Sequence, residues 1–339
     1  MIGNSNALKV SVVLPVKDEE RTIENVLRAL LSSEYENIEI LVVDGMSKDK
    51  TPNIVEKFCK LYAGKVKLLK NEKGHTPAGL NIGIMNASGK YIMIASGHAS
   101  YSKNYIRDCV DAIESGLCDV AGGVMEVVPR SDSLKARAIA YVLKHPFGVG
   151  GAKYRIGANK KTYVDTVAYG VYKEEIFKSV GLFDENLVRN QDIEFNIRLK
   201  RHGYKTMLVP EARAYYFSRD TYKGLWWNNF ANGFWVLHSH KFVKYAYRLR
   251  HLIPFFFVLY LLSLPMYFFL QLNVLKSLLF SPLILYFFFD IYFSIKCALE
   301  NRNTKIFFYA FWAFFVLHLS YGFGSLFGLL SLIKRAHSE

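Results

Sequence analysis

The chain has 339 residues, 51% of them hydrophobic and 15% aromatic, and a formal net charge of +14. That length holds one large or two ordinary domains, and the apolar excess, concentrated in the last quarter, excludes a purely soluble protein. The charge would suit nucleic acid, but no groove-reading motif or stacking signature accompanies it, so nucleic acid is excluded as a partner and anionic head groups and phosphate-bearing ligands account for it better. Cys59, Cys109, Cys118 and Cys297 are scattered without a C-x-x-C pair. They read as free thiols in a reducing compartment, with no zinc site.

Residues Met1 to Leu8 contain no apolar h-region, so no signal peptide is expected to carry the first domain across a membrane, and that domain is expected to be cytoplasmic. Val10 to Val16 and Ile38 to Val43 are apolar runs of strand length, and between them Ile23, Val26, Leu27, Leu30 and Leu31 share one helical face. Val66 to Leu69 and Tyr91 to Ala95 continue the strands, while Thr51-Pro52 and Thr76-Pro77 place proline at helix starts, where its missing N–H costs nothing. This βαβ series predicts an α/β fold with a mostly parallel sheet covered on both faces. Ligands collect at the carboxyl ends of such strands. Three polar clusters fall there: Lys17-Asp18-Glu19-Glu20, Asp44-Gly45-Met46-Ser47 and Ser96-Gly97-His98. No G-x-G-x-x-G fingerprint or Walker A loop follows these strands, which argues against a dinucleotide enzyme.

Further on, Leu134 to Lys144 reads as helix, Tyr163 to Val167 as extended, and Glu174 to Val180 and Asp192 to His202 as helices. Two strands are expected at Thr206 to Val209 and Ala212 to Phe217. Trp226, Phe230, Phe234 and Leu237 then form one helical stripe, followed by basic residues across 241–250. Packing on the domain would explain the stripe; tryptophans beside a basic run favour a helix in the membrane interface. Three spans are expected next, because Leu252 to Leu272 has no charge, Leu278 to Ile295 only Asp290, and Ile306 to Ile333 no full charge, each near the ~18–20 residues that cross a bilayer. Three crossings would keep Lys241, Lys244, Arg248, Arg250, Lys296, Arg302 and Lys305 inside but leave Lys334 and Arg335 outside, against the positive-inside bias. Asp290 within an apolar span is a functional candidate by default, or else sits at the interface. Gly324 and Gly328 form a G-x-x-x-G suited to close packing, within the chain or between copies of a homo-oligomer. The expected organisation is a domain over 1–221, an interfacial region over 222–251 and a membrane domain over 252–339.

Two carboxylates sit at element ends where an acceptor or a base can be held. Asp44, at a strand end, can accept a hydrogen bond from the imide N–H of uracil, or it can cap the following helix. Asp192, at a helix start, can be positioned to act as a base, although the helix dipole alone favours an acid there. Glu194 faces differently and reads as structural. His98, Asp165 and Arg155 each also have an ordinary reading, as a polar strand-end residue, a turn aspartate and a surface arginine.

Taken together, VVLPVKDEE, LVVDGMSKDKT, KGHTPAGLNIGIMNASGKYIMIA and VGLFDENLVRNQDIEFNIRLKRHGYK resemble an inverting family 2 glycosyltransferase of the GT-A fold. HPFGVGGAKYR, TYVDT and RLRHLIP resemble the succinoglycan-biosynthesis glucosyltransferase branch. The resemblance spans about Val10 to Pro254. It implies a nucleotide-sugar donor, UDP-linked by the Asp44 reading, and a polyprenyl-diphosphate-linked saccharide acceptor in exopolysaccharide or cell-surface glycan assembly at the cytoplasmic membrane. It places Pro15, Val16, Glu20, Asp44 and Ser96 around the nucleotide and Asn81 on the wall of its pocket, and it makes Asp192 the base. Where the family has Asp-x-Asp and the branch Asp-x-His, this chain has Ser96 and His98. A divalent cation, Mn²⁺ or Mg²⁺, would then rest on His98, donor phosphates and water, and imidazole suits Mn²⁺ better. Gln191 replaces the glutamate of the family's Glu-Asp pair; with Asp165 and Arg155 it is expected near acceptor or phosphate. The alternatives are a polyprenyl-phosphate sugar synthase, which needs no base, and a non-catalytic nucleotide-sugar-binding assembly protein.

Overall fold

Val10, Val12, Leu14 and Val16 pack into one hydrophobic cluster with Ile40 and Val42, while Val13 packs into another with Leu41 and Ile92. Alternate side chains of the same strands therefore feed cores on opposite faces, as a sheet covered on both sides requires. A computed structural model of the chain describes residues 8–243, 249–267 and 273–336. The strands are β1 (Val10–Val16), β2 (Ile38–Asp44), β3 (Val66–Lys70), β4 (Tyr91–Ile94), β5 (Ala99–Tyr101), β6 (Val120–Val128), β7 (Thr162–Tyr163), β8 (Val171–Lys173) and β9 (Thr206–Phe217). Among the described residues they form one sheet in the order β3-β2-β1-β4-β8-β6-β9-β5, with β7 also on β9. Pairing is parallel from β3 through β4 and antiparallel for β8 on β4, β6 on β8, and β5 and β7 on β9. Parallel order thus belongs to the βαβ half alone.

The helices are α1 (Ile23–Leu31), α2 (Thr51–Leu61), α3 (Thr76–Met85), α4 (Tyr105–Glu114), α5 (Leu134–Lys144), α6 (Pro146–Val149), α7 (Lys153–Ile156), α8 (Glu175–Ser179), α9 (Gln191–Arg201), α10 (Tyr222–His238), α11 (Leu249–Tyr267), α12 (Asn273–Glu300) and α13 (Ile306–Ala336). Ile23, Val26, Leu27 and Leu30 are the buried face of α1, as their spacing predicts. Two expectations change. Residues 206–217 form one strand rather than two, because Pro210 falls between the stretch paired with β7 and the stretch paired with β5, where no ladder donor is needed. Of the extended segment expected over Tyr163 to Val167, Tyr163 lies in β7 and Val164 N–H still donates to Thr206 O at 3.0 Å, with no strand assigned beyond them.

By contact the chain divides into two units, residues 1–126 with 153–216, and residues 127–152 with 217–339. The first holds the sheet up to Glu126 and Tyr216. In the second, α5 and α6 join the C-terminal helices, although the sequence division assigns residues 127–152 to the first domain. Apolarity of α5 explains this: Ala136, Ala138, Ile139, Ala140, Tyr141, Val142 and Leu143 are all buried, an apolar surface too wide for a helix with one face in water. Arg137 Nη2 donates to Asn301 Oδ1 at 2.8 Å, and Tyr141 meets Phe314 edge-on.

Among the described residues two helices are long and apolar enough to cross a membrane, Leu279–Glu300 and Ile306–Ile333. The expected first span, Leu252 to Leu272, lies partly outside the described residues; its described apolar helix, His251–Met266, is shorter and carries Pro254 and Pro265. Helix α10 runs beside α13 in parallel, from the Tyr222 hydroxyl donating to Tyr309 O at 3.0 Å to His238 Nδ1 at 2.7 Å from Ser331 Oγ. A Cβ at Gly233 would lie 2.0 Å from Tyr321 O, one at Gly324 2.0 Å from Phe230 O, and one at Gly328 2.3 Å from Phe234 O. The G-x-x-x-G therefore seats α10 within the chain. The stripe helix follows the last span along its length, so α10 cannot lie in the plane of an interface that α13 crosses, and the two expectations exclude one another.

Candidate active site

The polar clusters do meet at the carboxyl ends of β1, β2 and β4. Asp44 ends β2 and is 7% exposed. Its Oδ1 accepts from the Ser47 hydroxyl at 2.5 Å and its Oδ2 from the Ser47 N–H at 3.1 Å, so it closes a turn. It does not cap α2, whose N-cap is Lys50. With about four lone-pair sites a carboxylate still has room for a base N–H. Ser47 Oγ also accepts from Asp18 N–H at 2.9 Å, Asp18 Oδ1 from Lys48 N–H at 2.7 Å, and Asp49 Oδ2 from Glu20 N–H at 2.9 Å. These cross-links lace the loops after β1 and β2 together and hold Asp18 and Met46 at positive φ, the kind of local strain that surrounding bonds must over-determine. Glu20 takes part through Oε2, which accepts from Lys50 N–H at 3.2 Å. Val16 is buried and Pro15 half-buried beside Gly79.

Asp44→Ala is expected to weaken binding of UDP measured by calorimetry, with little loss of folding, since the turn keeps its other loop-to-loop bonds. Unchanged affinity would leave Asp44 as a turn residue only.

Asn81 is committed elsewhere. Its Nδ2 donates to Phe183 O at 2.9 Å and Glu185 Oε1 at 3.1 Å, and its Oδ1 accepts from Phe183 N–H at 3.0 Å. All these bonds staple α3 to the loop before α9.

Beyond β4, Ser96 N–H donates to Tyr101 Oη at 2.9 Å, and Ser96 Oγ is 3.4 Å from both ring nitrogens of His98. His98 Nδ1 lies 3.1 Å from Glu19 Oε1. A carboxylate only accepts, so Nδ1 carries the hydrogen. Pairing of Ala99 with Tyr216 brings the Tyr216 ring edge-on to His98 at 5.8 Å, and the Arg155 guanidinium lies 6.0 Å from the Tyr216 ring centre and 5.6 Å from that of Tyr154. Arg155 Nε also donates to Tyr154 Oη at 3.3 Å, and stacking of this kind holds the guanidinium with its remaining donors directed to an anion.

Asp192 occupies the first turn of α9, after Asn190 with a left-handed φ of 61°. Asn196 Nδ2 donates to Asp192 O at 2.7 Å and to Thr166 Oγ1 at 3.1 Å, tying the first turn of α9 to the loop that carries Asp165. The Asp192 side chain is exposed to solvent, while Gln191 and Asp165 are half-buried. Crowding by surrounding protein raises the Asp192 pKa from the ordinary carboxylate value, opposed by backbone N–H bonds and by the charges of Arg155 and Arg189. Glu194 is buried and structural: Arg198 grips it at 2.5 and 2.9 Å and bonds Val180 O and Leu182 O at 2.8 Å each.

Ring contacts and charge therefore link His98, Arg155 and Asp192, while Asp44 belongs to the laced loops after β1 and β2 whose Glu19 reaches His98. Sequence reasoning missed Glu19, Tyr154 and Tyr216 as partners. Glu19 was visible in its polar cluster, but only the register of β5 on β9 reveals Tyr216. Among the described residues no three His, Cys, Asp or Glu side chains group to hold a metal by themselves. The donor set beside Ser96, one imidazole with a carboxylate behind it, still fits an ion that takes its remaining ligands from phosphate and water.

The family model for "Glycosyl transferase family 2" matches residues 11–181, half of the chain. The chain belongs to glycosyl transferase family 2. This glycosyltransferase is 29% identical over 224 residues to the dolichyl N-acetyl-alpha-D-glucosaminyl phosphate 3-beta-D-2,3-diacetamido-2,3-dideoxy-beta-D-glucuronosyltransferase of Methanococcus voltae, covering 63% of this chain and 68% of that protein. It is 29% identical over 226 residues to the succinoglycan biosynthesis protein ExoA of Rhizobium meliloti, covering 66% and 67%. The chain thus spans about two thirds of each relative's length. Among solved structures, the glycosyltransferase is similar in fold to the mannosyltransferase PcManGT from Pyrobaculum calidifontis in complex with GDP-Man and Mn²⁺. The TM-score is 0.59 at 16% identity, over 93% of this chain and 88% of that one. The match extends the GT-A likeness over the α/β sheet expected from sequence.

Proposed function

We propose that this glycosyltransferase moves a sugar, with inversion, from a nucleotide-sugar donor to a saccharide carried on a lipid diphosphate. The carrying observation is Asp192: a solvent-open carboxylate on the first turn of α9, with Arg155 close enough to favour its charged form. In this reading the acceptor hydroxyl oxygen attacks the anomeric carbon from the face opposite the leaving group, and its proton passes to Asp192. As the new C–O bond forms, the bond to the nucleoside diphosphate breaks and its electron pair leaves with the diphosphate. Arg155, held by Tyr154 and Tyr216, neutralises that charge. Asp44 reads the base, which favours uracil. A divalent cation held by His98 would supply further neutralisation of the diphosphate when bound; the solved relative with Mn²⁺ supports this.

Membrane attachment belongs to the same reading. The relatives' names include succinoglycan and dolichyl phosphate chemistry, and the two long apolar helices would hold the enzyme where a lipid acceptor resides, with the catalytic unit on the cytoplasmic face. The protein is expected to stay in the membrane fraction through an alkaline carbonate wash; release would remove this part of the proposal.

The deciding experiment incubates membranes containing the enzyme with radiolabelled nucleotide sugars and a native lipid extract, followed by mass spectrometry of the lipid product. One added sugar on a saccharide-bearing lipid diphosphate is expected. A sugar on bare polyprenyl phosphate would instead make the protein a synthase of activated lipid sugars, and donor binding without any product would make it an assembly protein.

A further inference from the structure

Ser96 stands where a carboxylate would meet the donor's cation, which leaves His98 as the ligating side chain of that strand end. A lone imidazole is an undirected ligand, because either ring nitrogen can carry the hydrogen. Here it is directed. The Thr22 hydroxyl donates to Glu19 Oε2 at 2.8 Å, which fixes the carboxylate, and Glu19 Oε1 accepts from His98 Nδ1 at 3.1 Å. The backbone around Glu19 is equally held: its N–H donates to Thr51 Oγ1 at 2.8 Å and its carbonyl accepts from Thr22 and Ile23 N–H at 3.0 and 2.9 Å. Gly97 gives this arrangement its space, since a Cβ there would lie 3.1 Å from Glu19 Cγ. His98 meanwhile keeps 42% of its side-chain surface open, against 24% for Glu19.

We infer that Glu19 is a positioning residue for the donor's divalent cation: it holds the Nδ1 hydrogen of His98, so that Nε2 presents its lone pair to the ion. The inference rests on the cation reading above and goes beyond it by naming the group that sets the tautomer. The relay runs from Thr22 through Glu19 to His98, and it has two effects of known direction. A carboxylate behind a ligating histidine fixes ring orientation, and it raises the basicity of the nitrogen that faces the metal. Both offset the carboxylate that Ser96 lacks. The chain moves the negative charge one step back, onto the loop after β1, instead of placing it in the coordination shell.

The test uses the full chain in detergent with Mn²⁺ and UDP, read by electron spin resonance. Loss of the free-ion signal reports binding, and spin-echo modulation from ¹⁴N reports an imidazole on the ion. The wild-type protein is expected to bind Mn²⁺ more tightly than UDP alone and to show the ¹⁴N modulation, which His98→Ala abolishes. Glu19→Leu is expected to weaken Mn²⁺ binding about 10–100-fold, the usual cost of losing a partner behind a metal ligand, and to lose the modulation. Glu19→Gln, whose amide oxygen still accepts from Nδ1, is expected to keep the modulation with a smaller loss of affinity. UDP binding without metal shows that each variant is folded. Unchanged modulation and affinity in Glu19→Leu would overturn the role of Glu19 and leave His98 as a ligand. Absence of ¹⁴N modulation in the wild type would overturn the cation reading at His98 and this inference with it.

Discussion

Asp192→Asn is expected to leave nucleotide binding intact and to lower sugar transfer by about 10²–10⁴-fold, the usual cost of a lost general base. Asparagine preserves the shape of the side chain on the first turn of α9, so the Asn196 bond to the Asp192 carbonyl survives and the helix start should not move. What disappears is the capacity to take a proton. The same group should set the acid limb of the pH–rate profile. Crowding raises its pKa, and only the ionised form is a base, so activity should fall away as pH drops through a value above the ordinary ~3.9 for aspartate. Arg155 favours the charged form, so Arg155→Met should move that limb to still higher pH, in addition to any loss from the diphosphate. A single-turnover assay across pH with saturating donor measures both effects. Near-normal transfer by Asp192→Asn, or an acid limb that does not respond to either substitution, would remove Asp192 from the mechanism.

Gly324→Val is expected to be the most damaging single change in the C-terminal unit. A Cβ at that position would lie 2.0 Å from the Phe230 carbonyl oxygen, and backbone atoms cannot swing aside as a side-chain tip can. The two helices must separate, which strains the Ser325 hydroxyl bond to Gly233 O and the reciprocal contact of Gly233 with Tyr321 O. Overpacking of a tight interface costs about 1–3 kcal/mol, seen as a lower Tm in detergent. Trp312→Val, on an outward face where Trp312 is 53% exposed, serves as the control and should shift Tm far less. Equal shifts for the two variants would mean that α10 is not seated on these glycines.

The elements most legible in the sequence were those with one dominant period. Strands β1 to β4 and helix α1 followed directly from apolar spacing, because a covered parallel strand needs a continuous apolar run and a surface helix a stripe. Helix α5 matched its expected bounds, but its destination did not show. A run rich in alanine and branched aliphatics says that a helix will be buried, while the unit that buries it is decided by whichever apolar surface is complementary. The boundary drawn near residue 221 therefore followed composition, whereas residues 127–152 follow packing.

In the site, motif order and residue type placed Asp44, His98 and Asp192 at strand ends and a helix start, since backbone geometry alone puts those positions at the open edge of such a sheet. Partnership was another matter. That Asp44 closes a turn with Ser47, that Asn81 serves the loop at Phe183, and that Glu19 rather than Glu20 faces His98 all depend on side-chain direction in loops laced to one another. Spacing carries no information about that. The meeting of Tyr216 with His98 and Arg155 needs the antiparallel register of β5 on β9, a pairing between segments more than a hundred residues apart. By itself the sequence determined the α/β class, the apolar C-terminal helices and the residue types of the site. Tertiary structure decided which of those residues touch, because hydrogen bonds and close helix contacts depend on distances of a few ångströms that only the packed chain sets.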